Sequence, residues 1–136
     1  MEHDNRVNVE RLKEEVIQEY GVNPERDDLP HDVRRWVELI HEYLGLEELT
    51  VIWLKDQTAD ADISGKFKAV VGLRPIAYIR RLRVEWTKKL FQNGFKNRWE
   101  VSITVGYRHR SSMTMAFKEE TGISSAEFIR NLKKIT

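Results

Sequence analysis

The chain has 136 residues, 40% of them hydrophobic, with seven Gly, three Pro and no Cys. That is enough apolar material for a core, and it excludes a collagen-like chain, a disulfide scaffold, a Cys-ligated zinc and a thiol nucleophile. The net charge of +1 hides an imbalance, with −10 over residues 1–64 and +11 over residues 65–136; such a split points to a basic half facing a polyanion, or to two halves that pair with each other.

The start, Met1-Glu2-His3-Asp4, is charged and leads into no apolar run. A secretory leader is therefore not expected. No apolar stretch approaches the ~20 residues of a membrane helix. The compartment expected is the reducing cytoplasm.

The helical period then dominates. Val9, Leu12, Val16, Ile17 and Tyr20 share one face of a first helix, which Gly21 and Pro24 end. Residues 21–30 read as an acidic loop. Val33, Trp36, Val37, Ile40 and Leu44 mark a second helix, stopped by Gly45. Short helices are predicted over about Glu47 to Lys55 and about Asp60 to Val71, the latter stopped by Gly72. Pro75 suits a first helical position and opens a long helix through Ile79, Leu82, Trp86 and Leu90, closed by Asn93-Gly94. A short helix from Arg98 to Val105 ends at Gly106, and another from Arg110 to Thr121 ends at Gly122. Ser124 with Glu127 is a capping-box pattern for the last helix. The fold class expected is all-α, with about eight helices and no sheet. Trp36, Trp86 and Trp99 lie in or beside apolar stripes and are expected in the core.

Laid on itself at an offset of 50, the chain repeats. Phe67-Lys68 meets Phe117-Lys118, Gly72 meets Gly122, Ile79-Arg80 meets Ile129-Arg130 and Leu82 meets Leu132. Ile63 and Phe67, like Met113 and Phe117, sit four apart and face inward. Each copy is a short helix, a tight turn, a longer helix and a Gly stop, the plan of a helix–turn–helix. Two copies make a duplicated module rather than a solenoid.

Gly106-Tyr107, Met113, Phe117-Lys118, Gly122, Ser124 and Phe128, at their spacing, resemble the C-terminal signature of AraC/XylS-type transcription regulators. Phe67-Lys68, Gly72, Pro75 and Tyr78-Ile79, followed by Arg83-Val84, Thr87 and Leu90, resemble that family's first module and linker helix. The resemblance covers about residues 33–135. It implies residues 1–30 as an N-terminal helix and acidic loop, 31–74 as a first helix–turn–helix subdomain, 75–93 as a linker helix and 94–136 as a second subdomain, with 31–136 forming one bacterial-type DNA-binding domain. Two recognition helices in successive major grooves lie about 34 Å apart.

By this resemblance, Arg110, Ser111, Thr114 and Met115 of the second recognition helix contact bases, and Arg110 is suited to guanine O6 and N7. Arg108, His109, Lys96, Arg98 and Lys118 are expected on phosphates. The first module departs from the pattern. Its matching recognition positions are Ala61, Ser64 and Gly65, beside Asp60 and Asp62. Ser64 is its candidate base contact, and Lys66 and Lys68 its candidate phosphate contacts. Ala59 stands where a Ser cap is usual and Gln57 where a turn Gly is usual. Trp53 stands in a slot usually small, as Ser102 is in the second module, and predicts wider helix spacing.

Double-stranded DNA is thus the expected partner, read in a sequence-specific way and mainly through the second module. The alternative is a protein-interaction module whose acidic first half binds RNA polymerase or another protein. The first helix is expected to pack on the first module, to dimerise through Leu12, Val16 and Tyr20, or to recruit a partner through Glu10, Glu14, Glu15 and Glu19. Some 30 residues ahead of the modules leave no room for a ligand-binding barrel, so no small-molecule effector is expected. His3, His31, His41 and His109 lack zinc spacing. Ser111, Ser112, Ser124 and Ser125 lack a nucleophile elbow. Asp56, Asp60 and Asp62 lack the Gly and Glu of a calcium loop. No phosphate-binding Gly loop is present. No enzyme, cofactor or metal is expected.

Overall fold

A computed structural model describes the backbone of residues 2–59 and 62–135, with side chains over 8–59 and 62–134. Asp60 and Ala61 lie outside the described residues. The described residues form eight helices: α1 (Glu2–Tyr20), α2 (His31–Glu42), α3 (Val51–Gln57), α4 (Ser64–Val71), α5 (Pro75–Gln92), α6 (Arg98–Thr104), α7 (Arg110–Thr121) and α8 (Ser125–Ile135). None of them is long and apolar enough to cross a membrane.

Local signals set most of the helix ends. The Asn97 carboxamide oxygen accepts from the Trp99 and Glu100 N–H groups, both at 3.1 Å, and opens α6. The Ser124 hydroxyl accepts from Glu127 N–H at 3.0 Å and opens α8. Gly72 and Gly122 close α4 and α7 in the left-handed region, at φ 94° and 82°. The third helix departs from expectation. It starts at Val51 rather than near Glu47, because the Thr50 hydroxyl accepts from Trp53 N–H at 3.1 Å and fixes the start there. The preceding residues form turns, with Leu46 N–H on Tyr43 C=O and Leu49 N–H on Leu46 C=O.

One core runs through both halves. Trp36, Val37 and Ile40 of α2 meet Phe67 of α4 and Tyr78 of α5; Phe91 of α5 meets Phe117 of α7 and Phe128 of α8. Trp36 and Trp86 are buried, as expected. Trp99 is not: it is 57% exposed on α6. That helix spends its buried face on Val101 and Ser102, and a seven-residue helix has no second inward row for Trp99.

Helix α1 lies along α5 and shares this core. Leu12 and Val16 are fully buried, so neither is available to a second copy. Trp86 Nε1–H donates to Val9 C=O at 3.2 Å, and Lys89 Nζ lies 3.7 Å from Glu15 and 3.5 Å from Glu19. Part of the acidic half thus neutralises part of the basic half.

The two modules are not equal copies. Helices α3 and α6 repeat at an offset of 47, whereas α4 and α7 end at an offset of 50. From the end of α3 to the end of α4 the first module is therefore three residues shorter than the second is from α6 to α7, and the shortening falls in α4 itself, which has eight residues against twelve in α7. At the offset of 47, Ala59 meets Gly106 and Trp53 meets Glu100. Ala59 (φ 59°) and Gly106 (φ 102°) share the left-handed region. Ala59, not Gln57, thus holds the turn-glycine position, at about 1–2 kcal/mol of strain for a residue with a Cβ. Trp53 does not occupy the Ser102 slot; its ring lies edge-on to Tyr43 at 5.2 Å. The basis for wider helix spacing falls with it.

Candidate nucleic-acid interface

Helix α7 has two faces. Met113, Ala116 and Phe117 are buried against α5 and α8, with Phe117 5.4 Å from Phe128 and 6.1 Å from Phe91. The 3.6-residue period then turns Arg110, Ser111, Met115 and Lys118 outward, and all four are exposed; Thr114 is half-buried beside them. Met115 is 64% exposed, far more than a buried apolar side chain. Arg110 and Lys118 make no ion pair among the described residues, so their charges remain free for a ligand. Arg108 and His109 lie in the turn just before, both exposed. Arg108 is engaged: its guanidinium pairs with Glu47, from the turn after α2. Lys96 and Arg98 sit at the opposite end of α6, about 10 Å along the helix from that turn at 1.5 Å per residue. They do not join the Arg108–Arg110 cluster.

Helix α4 presents less. It has eight residues against twelve in α7, and it begins at Ser64 rather than Asp60. One helical turn is missing at the end where α7 carries Arg110 and Ser111. Asp62 precedes the helix, and its carboxylate accepts from Ser64 N–H at 3.0 Å, which holds that carboxyl below its usual range. Ser64 is half-buried; Gly65, Lys66 and Lys68 are exposed. Lys66 Nζ donates to Asp32 at 2.8 Å, an ion pair that also lowers the Asp32 carboxyl.

Three further residues hold this geometry, and all lie outside the candidate contacts named from sequence. Arg80 of α5 pairs with Glu120 at 3.0 Å and Glu119 at 3.6 Å on α7. Glu47 holds Arg108. Arg83 of α5 is buried between the modules. A signal for Arg83 was present: it falls on the stripe of Ile79, Leu82, Trp86 and Leu90, at the spacings of a buried face.

A family model described as a helix–turn–helix domain matches residues 60–131, just over half of the chain. Two curated relatives are named AraC-like transcription regulators. The one from Streptomyces antibioticus is 30% identical over 66 residues, covering 48% of this chain and 22% of the relative. The one from Streptomyces lividans is 25% identical over 112 residues, covering 73% of this chain and 37% of the relative. The chain thus spans well under half the length of both. Two solved structures share the fold. The C-terminal domain of AraT, a response regulator from Geobacillus stearothermophilus, superimposes with a TM-score of 0.73 at 22% identity, over 77% of this chain and 88% of that one. The C-terminal domain of the two-component response regulator yesN from Fusobacterium nucleatum gives 0.65 at 20% identity, over 69% and 93%. With its duplicated module, its helix order and the matched span in agreement, this chain belongs to the AraC-type helix–turn–helix family.

Proposed function

We propose that the chain is a sequence-specific, double-stranded-DNA-binding transcription regulator of the cytoplasm that reads the major groove mainly through α7. The observation that carries this is the exposed face of Arg110, Ser111, Thr114, Met115 and Lys118, set against the shortened α4. Arg110 fits bidentate contact to a guanine, and Met115 or the Thr114 methyl fits a thymine methyl. Lys68, Lys118 and His109 serve phosphates, and Arg108 and Lys66 join them by exchanging Glu47 and Asp32 for phosphate oxygens. The first module then grips backbone more than it reads bases. The residues bind and orient; no chemical transformation is assigned to them.

A protein partner such as RNA polymerase is compatible with this reading. Glu14, Glu48 and Asp56 are exposed and make no ion pair among the described residues, so they remain for such a surface.

The test is selection from a pool of randomised duplexes, with anisotropy titrations at several salt concentrations. A recovered motif with a steep salt slope is expected, because phosphate contacts release counterions. Arg110→Ala is expected to cost about 1–3 kcal/mol on that motif and to relax one guanine in it. Absence of binding at low salt refutes the reading, and a pull-down for protein partners then becomes the informative experiment.

A further inference from the structure

The buried Arg83 has no carboxylate partner among the described residues. Its charge is met differently. Nε–H donates to Leu44 C=O at 2.9 Å and Nη2–H to Leu46 C=O at 2.8 Å. These carbonyls lie just past the C-terminus of α2, the negative end of that helix. The guanidinium also stands 5.4 Å from the centre of the Tyr107 ring. A Cβ on Gly106 would come within 2.5 Å of Nη2. One side chain from the linker helix is thereby bonded to the first module and pressed against the turn that launches the second recognition helix. It lines the floor of a cleft of about 410 Å³ between the modules, with Val51, Ile79 and Ala116 around it. Arg80 to Glu119 and Glu120, and Glu47 to Arg108, bridge the same junction at the surface.

We infer that Arg83 is a positioning residue for DNA recognition: it locks the two modules at one separation, so that the protein accepts a single spacing between the backbone grip of α4 and the bases read by α7. This rests on the DNA-binding reading above. Inserting one base pair shifts one contact by about 3.4 Å along the axis and rotates it by about 35° about it. A rigid junction cannot follow that change, whereas a loosened one can.

Two measurements test it. The chain has no Cys, so Ala69→Cys on α4 and Arg130→Cys on α8 give one clean spin-label pair across the junction. A single narrow distance distribution is expected for the parent and a broadened one for Arg83→Gln, with Arg83→Lys in between. Tyr107→Leu, which removes the ring and keeps both hydrogen bonds, covers the case in which Arg83→Gln fails to fold; it too should broaden the distribution. The second measurement uses the duplex recovered from the random pool, with and without one base pair inserted between the α7 motif and the flanking backbone contacts. The parent should lose at least tenfold in affinity on insertion, and Arg83→Gln less than threefold. A distribution that stays narrow in the variants, or equal spacing discrimination in parent and variant, overturns the inference. If the parent binds no DNA while the distances behave as stated, the lock stands and the DNA-binding reading is what fails.

Discussion

Acidification should weaken this fold through one histidine. His41 of α2 is buried, and its Nε2 lies 2.6 Å from the Tyr78 hydroxyl of α5. That hydroxyl oxygen accepts from Val22 N–H at 2.9 Å. A neutral imidazole with its proton on Nδ1 can accept the phenol proton at Nε2. Protonating Nε2 would turn the phenol proton away from that nitrogen and leave a buried positive charge on the ring. Burial, with the nearby Lys13 ammonium adding to it, pushes His41 down to about 4 from an ordinary 6.5. Burial pushes Tyr78 up to about 12, so the phenol stays neutral throughout.

The folded state prefers neutral His41, so its contribution is complete above pH 6.5 and is lost as the pH falls toward 4. Between pH 7.5 and 5 the loss comes to about 2 kcal/mol, rising to about 3 kcal/mol below pH 4. Asp28, Asp32 and Asp62 are held below their usual range, so their contributions are lost at pH values below this window. Urea unfolding at constant ionic strength at pH 7.5, 6.5, 5.5 and 5 measures the effect. His41→Gln keeps an acceptor for Tyr78 and cannot titrate, so its stability should be nearly flat over the same range, whatever its absolute level. A flat parent curve, or equal slopes in parent and variant, would refute the reasoning.

Two further outcomes follow from burial and backbone geometry. Ala59→Gly removes the strain of a left-handed alanine but loosens the unfolded chain; thermal melts should show a change between none and about 1 kcal/mol of stabilisation. Trp86→Ala should cost about 3–5 kcal/mol in urea unfolding, because it empties a fully packed site. Trp99→Ala, by contrast, should stay within about 0.5 kcal/mol of the parent; a large loss there would mean that its exposure has been misread.

Much of the candidate site was legible from sequence because α7 repeats a strong local pattern. Once Met113 and Phe117 are assigned inward, the helical period alone turns Arg110, Ser111, Met115 and Lys118 outward. The first module was harder to read. The offset of 50 is carried by residues from Ile63 onward, and nothing local marks the three residues missing between Ala59 and Ile63. The pairing of Trp53 with Ser102, and the assignment of the turn-glycine slot to Gln57, failed for that reason. Trp99 failed differently: apolarity measures the gain from burial, but whether a neighbour arrives to cover the ring is a matter of packing.

Sequence by itself determined the all-helical class, the duplication, the glycine stops at Gly72 and Gly122 and the cap at Ser124. These depend on interactions within a few residues, where side-chain chemistry and backbone preference act directly. Tertiary structure decided that α1 belongs to the core, that Ala59 takes a glycine's conformation, that Glu47 holds Arg108, and that Arg83 joins α2, α5 and the turn at Gly106. Each of these depends on groups distant in the chain, whose meeting is set by how whole helices pack and by the requirement that every buried polar group find a partner.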